Sequence, residues 1–157
     1  MKIALIVILI FVIMLIARAV SEQYKDRFDF FNNLKSFLNH LRLNISFKQE
    51  KISDFLLKTE AKKQFKTFIE NYQSYLKTNE LDLSQITVLD ETDKTILTDI
   101  IKNVGKFDAK NEISQLDNFI LIVNEKLAKS KEDKDKLCPM ILKLSLLFAI
   151  GLGIILI

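Results

Sequence analysis

Both ends of this 157-residue chain are made for lipid, and that limits the folds open to everything between them. Ile3 to Ala17 is an unbroken apolar run, and it extends to Val20 when the Arg18 side chain snorkels to the headgroups. Met140 to Ile157 is interrupted only by Lys143 and Ser145. Each end is read as a membrane-spanning helix, and the chain between them has to leave the bilayer and return to it. The division is therefore an N-terminal transmembrane helix at 1–20, a soluble helical domain at 21–138 and a C-terminal transmembrane helix at 139–157.

The middle is predicted to be helical almost throughout. The chain has three Gly and one Pro, none of them between Met1 and Val104, which removes the punctuation that β-hairpins and phosphate loops need. About 120 residues between the spans suffice for one domain with a modest core. Ser21 to Asn44 contains nothing that stops a helix, so the first span runs on into an amphipathic one. Tyr24, Phe28, Phe31, Leu34, Leu38, Leu41 and Ile45 recur at three or four, with Phe37 widening the stripe. Around Ser46 to Ser53 the pattern loosens; a turn is expected there, with Ser46 and Gln49, or Ser53, capping the next helix. Phe55 and Leu56 lead into Phe65, Phe68, Ile69, Tyr72, Tyr75 and Leu76 at helical spacing, and Leu83 to Leu89 is read as connector. Asp90 or Thr92 caps a short helix carrying Ile96, Leu97, Ile100, Ile101 and Val104, and Gly105 stops it.

Asp108 is then the expected cap of a last long helix, its carboxylate accepting a backbone amide. That helix carries a core seam at Ile113, Leu116, Ile120, Val123 and Leu127. The same count continues through Ser130 and Lys134 to Leu137, Ile141, Leu144, Phe148 and Gly151, so the seam is expected to run into lipid. Pro139 removes one helix hydrogen bond and is expected to kink the helix near Asp135. Within the second span Ser145, Ala149 and Gly153 recur every four residues. Small residues at that spacing allow close approach, so they are expected to pack on another span of this chain or a neighbour. The fold class is all-α: an antiparallel helical bundle flanked by transmembrane helices that continue into long amphipathic ones.

Composition excludes several function classes. Net charge is +3, from 23 basic and 20 acidic residues mixed along the middle, so there is no broad basic face for nucleic acid. A single Cys and a single His leave neither a disulfide framework nor a metal set, and His40 reads as a helix-surface residue. Acidic groups are scattered along helix faces, and no phosphate loop exists, so neither catalysis, a cofactor nor a small-molecule substrate is expected. Basic residues are more numerous on the domain side of both spans: Lys2 alone precedes the first, against Arg18, Lys25, Arg27 and Lys35 after it, and Lys126, Lys129, Lys131, Lys134, Lys136 and Lys143 come before the second. That asymmetry places the domain in the cytoplasm. The alternative is a signal peptide cleaved at Ala17-Arg18-Ala19, giving a tail-anchored surface or phage-type helical protein with the domain outside.

The order of these parts resembles the stage III sporulation protein AB family of endospore-forming bacteria. The resemblance rests on Tyr24-Lys25-Asp26-Arg27 after the first span, the hydrophobic spacing Leu34 to Phe47, and the cap pattern Leu89 to Asp93 with Leu97. Gly105 with Asp108, and Leu144-Ser145-Leu146 followed by Gly151-Leu152-Gly153, complete it. The chain departs from the family where Phe47-Lys48-Gln49-Glu50-Lys51-Ile52 replaces a Tyr-Gly-x-Thr-Pro-Leu turn, where Ser145 replaces glycine, and where Pro139 is added. The resemblance implies a component of the sporulation channel in the mother-cell membrane. It also implies a helical domain similar to half of the platform protein of type II secretion, with a secretion-type ATPase and other channel proteins as partners; apart from the resemblance, a homo-oligomer is compatible with the chain.

Overall fold

The structure is a computed structural model that describes residues 2–48, 50–106 and 108–156. Five α-helices and one π-helical turn account for most of it, with no strand among the described residues. Helix α1 spans Lys2–Leu43 and passes directly into the π-helical turn Asn44–Lys48. Helices α2 (Ile52–Lys58) and α3 (Lys63–Thr78) follow, then α4 (Glu91–Asn103) and α5 (Ala109–Leu156).

The two long helices form an antiparallel pair in constant register. Ile6 lies against Gly153, Met14 Sδ meets Ser145 Oγ at 3.8 Å, Cys138 Sγ meets Ser21 O at 3.4 Å, and Arg42 Nε meets Asp117 Oδ1 at 2.6 Å. Each step forward on α1 is matched by an equal step back on α5. At 1.5 Å rise per residue the pair stays in step for roughly 54 Å. The remaining helices close around its distal half.

The head core is aromatic. Phe30, Phe31, Phe37, Phe65, Phe68 and Tyr72 are all buried, and their rings meet mostly edge to face at centroid distances such as 5.7 Å for Phe30–Phe65 and 6.1 Å for Phe37–Phe68. Phe31, Leu34, Leu38 and Leu41 from the predicted stripe are buried. Phe30, off that stripe, is buried too, because α1 is covered by both α3 and α5 and its apolar arc is wider than one helix contact requires. The connector at 83–89 has no regular structure, yet Leu83, Ile86 and Leu89 are buried and hold it to the core.

Two local expectations change. Ser53 is not a cap: α2 begins after Lys51, with no side-chain cap bond, and Ser46 Oγ bonds back to Arg42 O, while Gln49 lies outside the described residues. α5 runs through Pro139 as one helix, with the proline ring exposed. The seam of α5 also leaves its predicted path. Leu144 and Phe148 are 56% and 62% exposed, and a Cβ built on Gly151 would meet nothing within 4 Å. The inward line instead passes through Cys138, Ile141, Ser145, Ala149 and Gly153. An α-helix drifts about 20° per heptad against a strict seven-residue count. Four heptads beyond Val123, Gly151 has turned away from α1, whereas the 11-residue steps Val123, Lys134 and Ser145 keep facing it.

Candidate functional site

Two arrangements give this fold chemistry beyond an ordinary core: the contact between the two apolar helix ends, and a charged node where α4 meets the helix pair.

Both long helices are long and apolar enough to cross a membrane. Their outer faces are open, with Val7, Phe11, Leu147 and Ile154 each at 60–71% exposure. Their contact is made from small groups. Ala17 and Ala149 are 4% and 1% exposed, and a Cβ on Gly153 would sit 3.9 Å from Ile6 Cγ2. Ser145 Oγ donates to Leu142 O at 2.9 Å, so its hydroxyl is satisfied within its own helix. Ser145, Ala149 and Gly153 thus lie along the line that faces α1 of the same chain. Ser21 and Cys138, where the apolar ends give way to the head, sit opposite each other. Just above them Lys134 Nζ lies 3.9 Å from the centre of the Phe28 ring, and Ser130, 2% exposed, bonds to Leu127 O.

The node is centred on Asp93. Asp90 stands at the N-cap of α4 and its Oδ1 accepts the Asp93 amide at 2.8 Å. Of the two cap candidates, Asp90 takes the role. Three residues on, the Asp93 side chain is wholly buried and points back at the helix pair. Arg27 of α1 reaches its Oδ2 at 2.6 Å and also Asp90 Oδ2 at 3.1 Å; Lys126 of α5 reaches Asp93 Oδ1 at 2.8 Å. Two carboxylates and two cations balance, and one short helix is clamped to both long ones. The cap bond from Asp93 N holds the Asp90 carboxyl below the usual carboxylate range, with Arg27 and Lys126 adding to the effect.

A second clamp closes the other end of α4. Gly105 has φ +88°, the left-handed stop expected of it, and its amide donates to Glu112 Oε1 at 2.7 Å. Glu112, in the first turn of α5, is 2% exposed. Asp108 O accepts the Glu112 amide at 2.9 Å, the bond of an N-cap carbonyl, while the Asp108 carboxylate takes the side-chain amide of Asn111. Along α5, Leu116 and Val123 are fully buried, and Ile113, Ile120 and Leu127 are half-buried at the edges of the seam.

Asp93, Lys126 and Glu112 were not singled out by periodicity, because charged residues at helical spacing read as solvated face. The available signal was local: Asp90 and Asp93 stand three apart ahead of an apolar helix, a capping pattern whose second acid is free to look elsewhere. Arg27 closes the Tyr24–Arg27 motif, and Asp90 and Asp93 lie in the Leu89–Asp93 motif. The node therefore joins two stretches far apart in sequence.

The family model for stage III sporulation protein AB matches residues 2–157. The chain belongs to that family. No curated protein and no solved structure matches it. Membership covers the apolar ends and the head together, so this is a sporulation protein whose two terminal helices are of membrane-spanning length and character.

Proposed function

We propose that the chain is a non-catalytic platform subunit of the channel between mother cell and forespore. Its helix pair anchors it in the mother-cell membrane and its head, on the cytoplasmic side, docks a secretion-type ATPase and other channel proteins. The observation that carries this reading is the continuity of α1 and α5. The same two helices supply the apolar ends and the spine to which α4 is clamped by Arg27, Asp93 and Lys126. Force or position at the head is therefore transmitted to the membrane without an intervening linker. The basic residues on the head side of both spans support the cytoplasmic orientation.

Co-purification from sporulating cells tests the partner, and protease access tests the side. The tagged full chain is expected to bring the channel ATPase with it, and the head to be cleaved only after the cells are opened. Cleavage of the head from outside intact cells would overturn both orientation and docking. The mass of the mature chain addresses the processed alternative. Loss of the first nineteen residues would strip Ile6, Met14 and Ala17 from the α5 small-residue line and sink the platform reading.

A further inference from the structure

A groove of about 610 Å³ opens on the side of the head that is farthest along α1 from the apolar ends. Its floor is aromatic: Phe37 packs against Phe55 at 5.5 Å and Phe65 at 6.1 Å between ring centres. Its wall is the π-helical turn, where Phe47 is 81% exposed, together with Leu43 at 49%. Large apolar side chains held beside a concave aromatic floor mark an interaction surface rather than scattered surface apolars.

Two polar features define what fits. Asn44 lines the groove and is only 3% exposed; its Nδ2 donates to Glu50 O at 3.2 Å, but its Oδ1 has no donor. A buried acceptor without a partner costs free energy until a ligand brings an N–H. On the rim, Lys58 is neutralised by Glu50 at 3.1 Å, whereas Glu60 forms no ion pair among the described residues. The rim therefore offers one exposed carboxylate, Glu60, with which an added cation can pair.

We infer that this groove docks a protein segment that inserts an apolar side chain, offers an N–H donor and carries a Lys or Arg beside the anchor. This rests on the platform reading for the side of the membrane on which the groove lies. Lipid is a poor occupant, because Phe47 stands roughly 39 Å along α1 from Ser21 at the membrane edge. A second copy in the same membrane is disfavoured too: held at the same height and orientation, it would bring its own Glu60 to an acidic rim.

The test places a photo-crosslinking residue at Phe47 of the full chain in sporulating cells, with the same residue at Leu121, 62% exposed on α5, as the control position. The expected adduct, mapped by mass spectrometry, joins Phe47 to a cytoplasmic protein at an apolar residue neighbouring Lys or Arg, and is absent from position 121. Glu60→Lys is expected to lower its yield about fivefold, the factor one rim ion pair supplies. Adducts only with lipid or with a second copy, no adduct, or a yield that ignores Glu60→Lys would each overturn the assignment. The two proposals fail separately. A basic-flanked adduct from a protein other than the ATPase keeps the groove and removes the ATPase from it. ATPase co-purification that persists beside a charge-insensitive adduct keeps the platform and removes the groove.

Discussion

Replacing Asp93 by Ala removes the buried carboxylate that Arg27 and Lys126 both pair with in the head. The Asp93 side chain has no solvent exposure, and Arg27 and Lys126 approach it at 2.6 and 2.8 Å. Without it Arg27 retains Asp90 at 3.1 Å, and Lys126 loses the ion pair that ties α5 to α4. Removing one partner of a buried ion pair costs about 3–5 kcal/mol. Both cations keep about a quarter of their side-chain surface in water, at 22% and 23%, so the lower end, about 3 kcal/mol, is expected. Asp90→Ala is the internal comparison: it removes a cap worth about 1 kcal/mol and an ion pair whose acid is 53% exposed, itself worth under about 1 kcal/mol. In a chain of this size 1 kcal/mol moves the midpoint by about 2–4 °C. Thermal melts of the full chain in mild detergent, followed by circular dichroism, should drop by about 6–12 °C for Asp93→Ala, and by clearly less for Asp90→Ala. Arg27→Met, Asp93→Leu and Lys126→Met together should recover a large part of the loss, since the penalty arises from cations left without a counter-charge. A midpoint for Asp93→Ala no lower than that of Asp90→Ala would refute the placement of Asp93 as the centre of the node.

Gly105→Ala should cost about 1–2 kcal/mol, because φ +88° strains any Cβ-bearing residue; the added Cβ also lies 2.7 Å from Ile52 Cδ1. Trimming Ile52 to Val should relieve the contact and leave the strain, and full recovery in the double variant would show that φ is not the cause. The Asp90 carboxyl is held below its unfolded value of about 3.9, so its contribution is complete above that pH and is lost as pH falls through the lower folded value. Acid melts should therefore be steeper for the wild type than for Asp90→Asn, which caps without titrating; equal slopes would argue against the cap. Burial pushes the Tyr72 phenol above its usual range, with Glu112 adding to the effect. Stability should accordingly fall as pH rises past about 10, with the Tyr72 phenolate absorbance appearing only as the head opens and the pH dependence lost in Tyr72→Phe. Paired cysteines at Met14 and Ser145, with Cys138→Ser, should form a disulfide within one chain, and Ala149→Leu with Gly153→Leu should suppress it; an unchanged yield would count against close packing there.

How far the sequence exposed this molecule depends on which physical rule governed each residue. Helix positions set by apolar periodicity were legible: Phe31, Leu34, Leu38 and Leu41 on α1, and Leu97, Ile100 and Ile101 on α4, are all buried where the stripes put them. So were the backbone signals at Asp90 and Gly105, because a cap and a left-handed stop are local events. Phe30 was hidden because its burial depends on a third helix that no single-helix pattern reveals. Asp93 and Lys126 were hidden for a sharper reason. A buried charge looks like a surface charge until its partner is brought to it, and Arg27 is 66 residues away from Asp93. The start of α2 at Ile52, after Lys51, had no side-chain cap to read.

The line that α5 turns toward α1 changes character along its length. In the head it is filled by Leu116 and Val123, both fully buried, because in water the removal of apolar surface drives packing. Beyond Ser130 and Lys134 it becomes Cys138, Ile141, Ser145, Ala149 and Gly153, mostly small residues. Small residues at this spacing let the two backbones approach closely, the kind of contact on which helices packed in lipid rely. A seven-residue count misses this second stretch by drifting off the helix face, and the 11-residue step through Val123, Lys134 and Ser145 finds it. The same helix thus carries both kinds of line without a break, with the ring of Phe28 under Lys134 and the Ser21 carbonyl at Cys138 lying where one gives way to the other. With the register held from Arg42–Asp117 down to Ile6–Gly153, sliding one helix along the other would disrupt Arg27, Asp93 and Lys126 and the small-residue contact at once. The node in the head and the glycine contact between the apolar ends thus fix one and the same quantity, the relative height of the two helices.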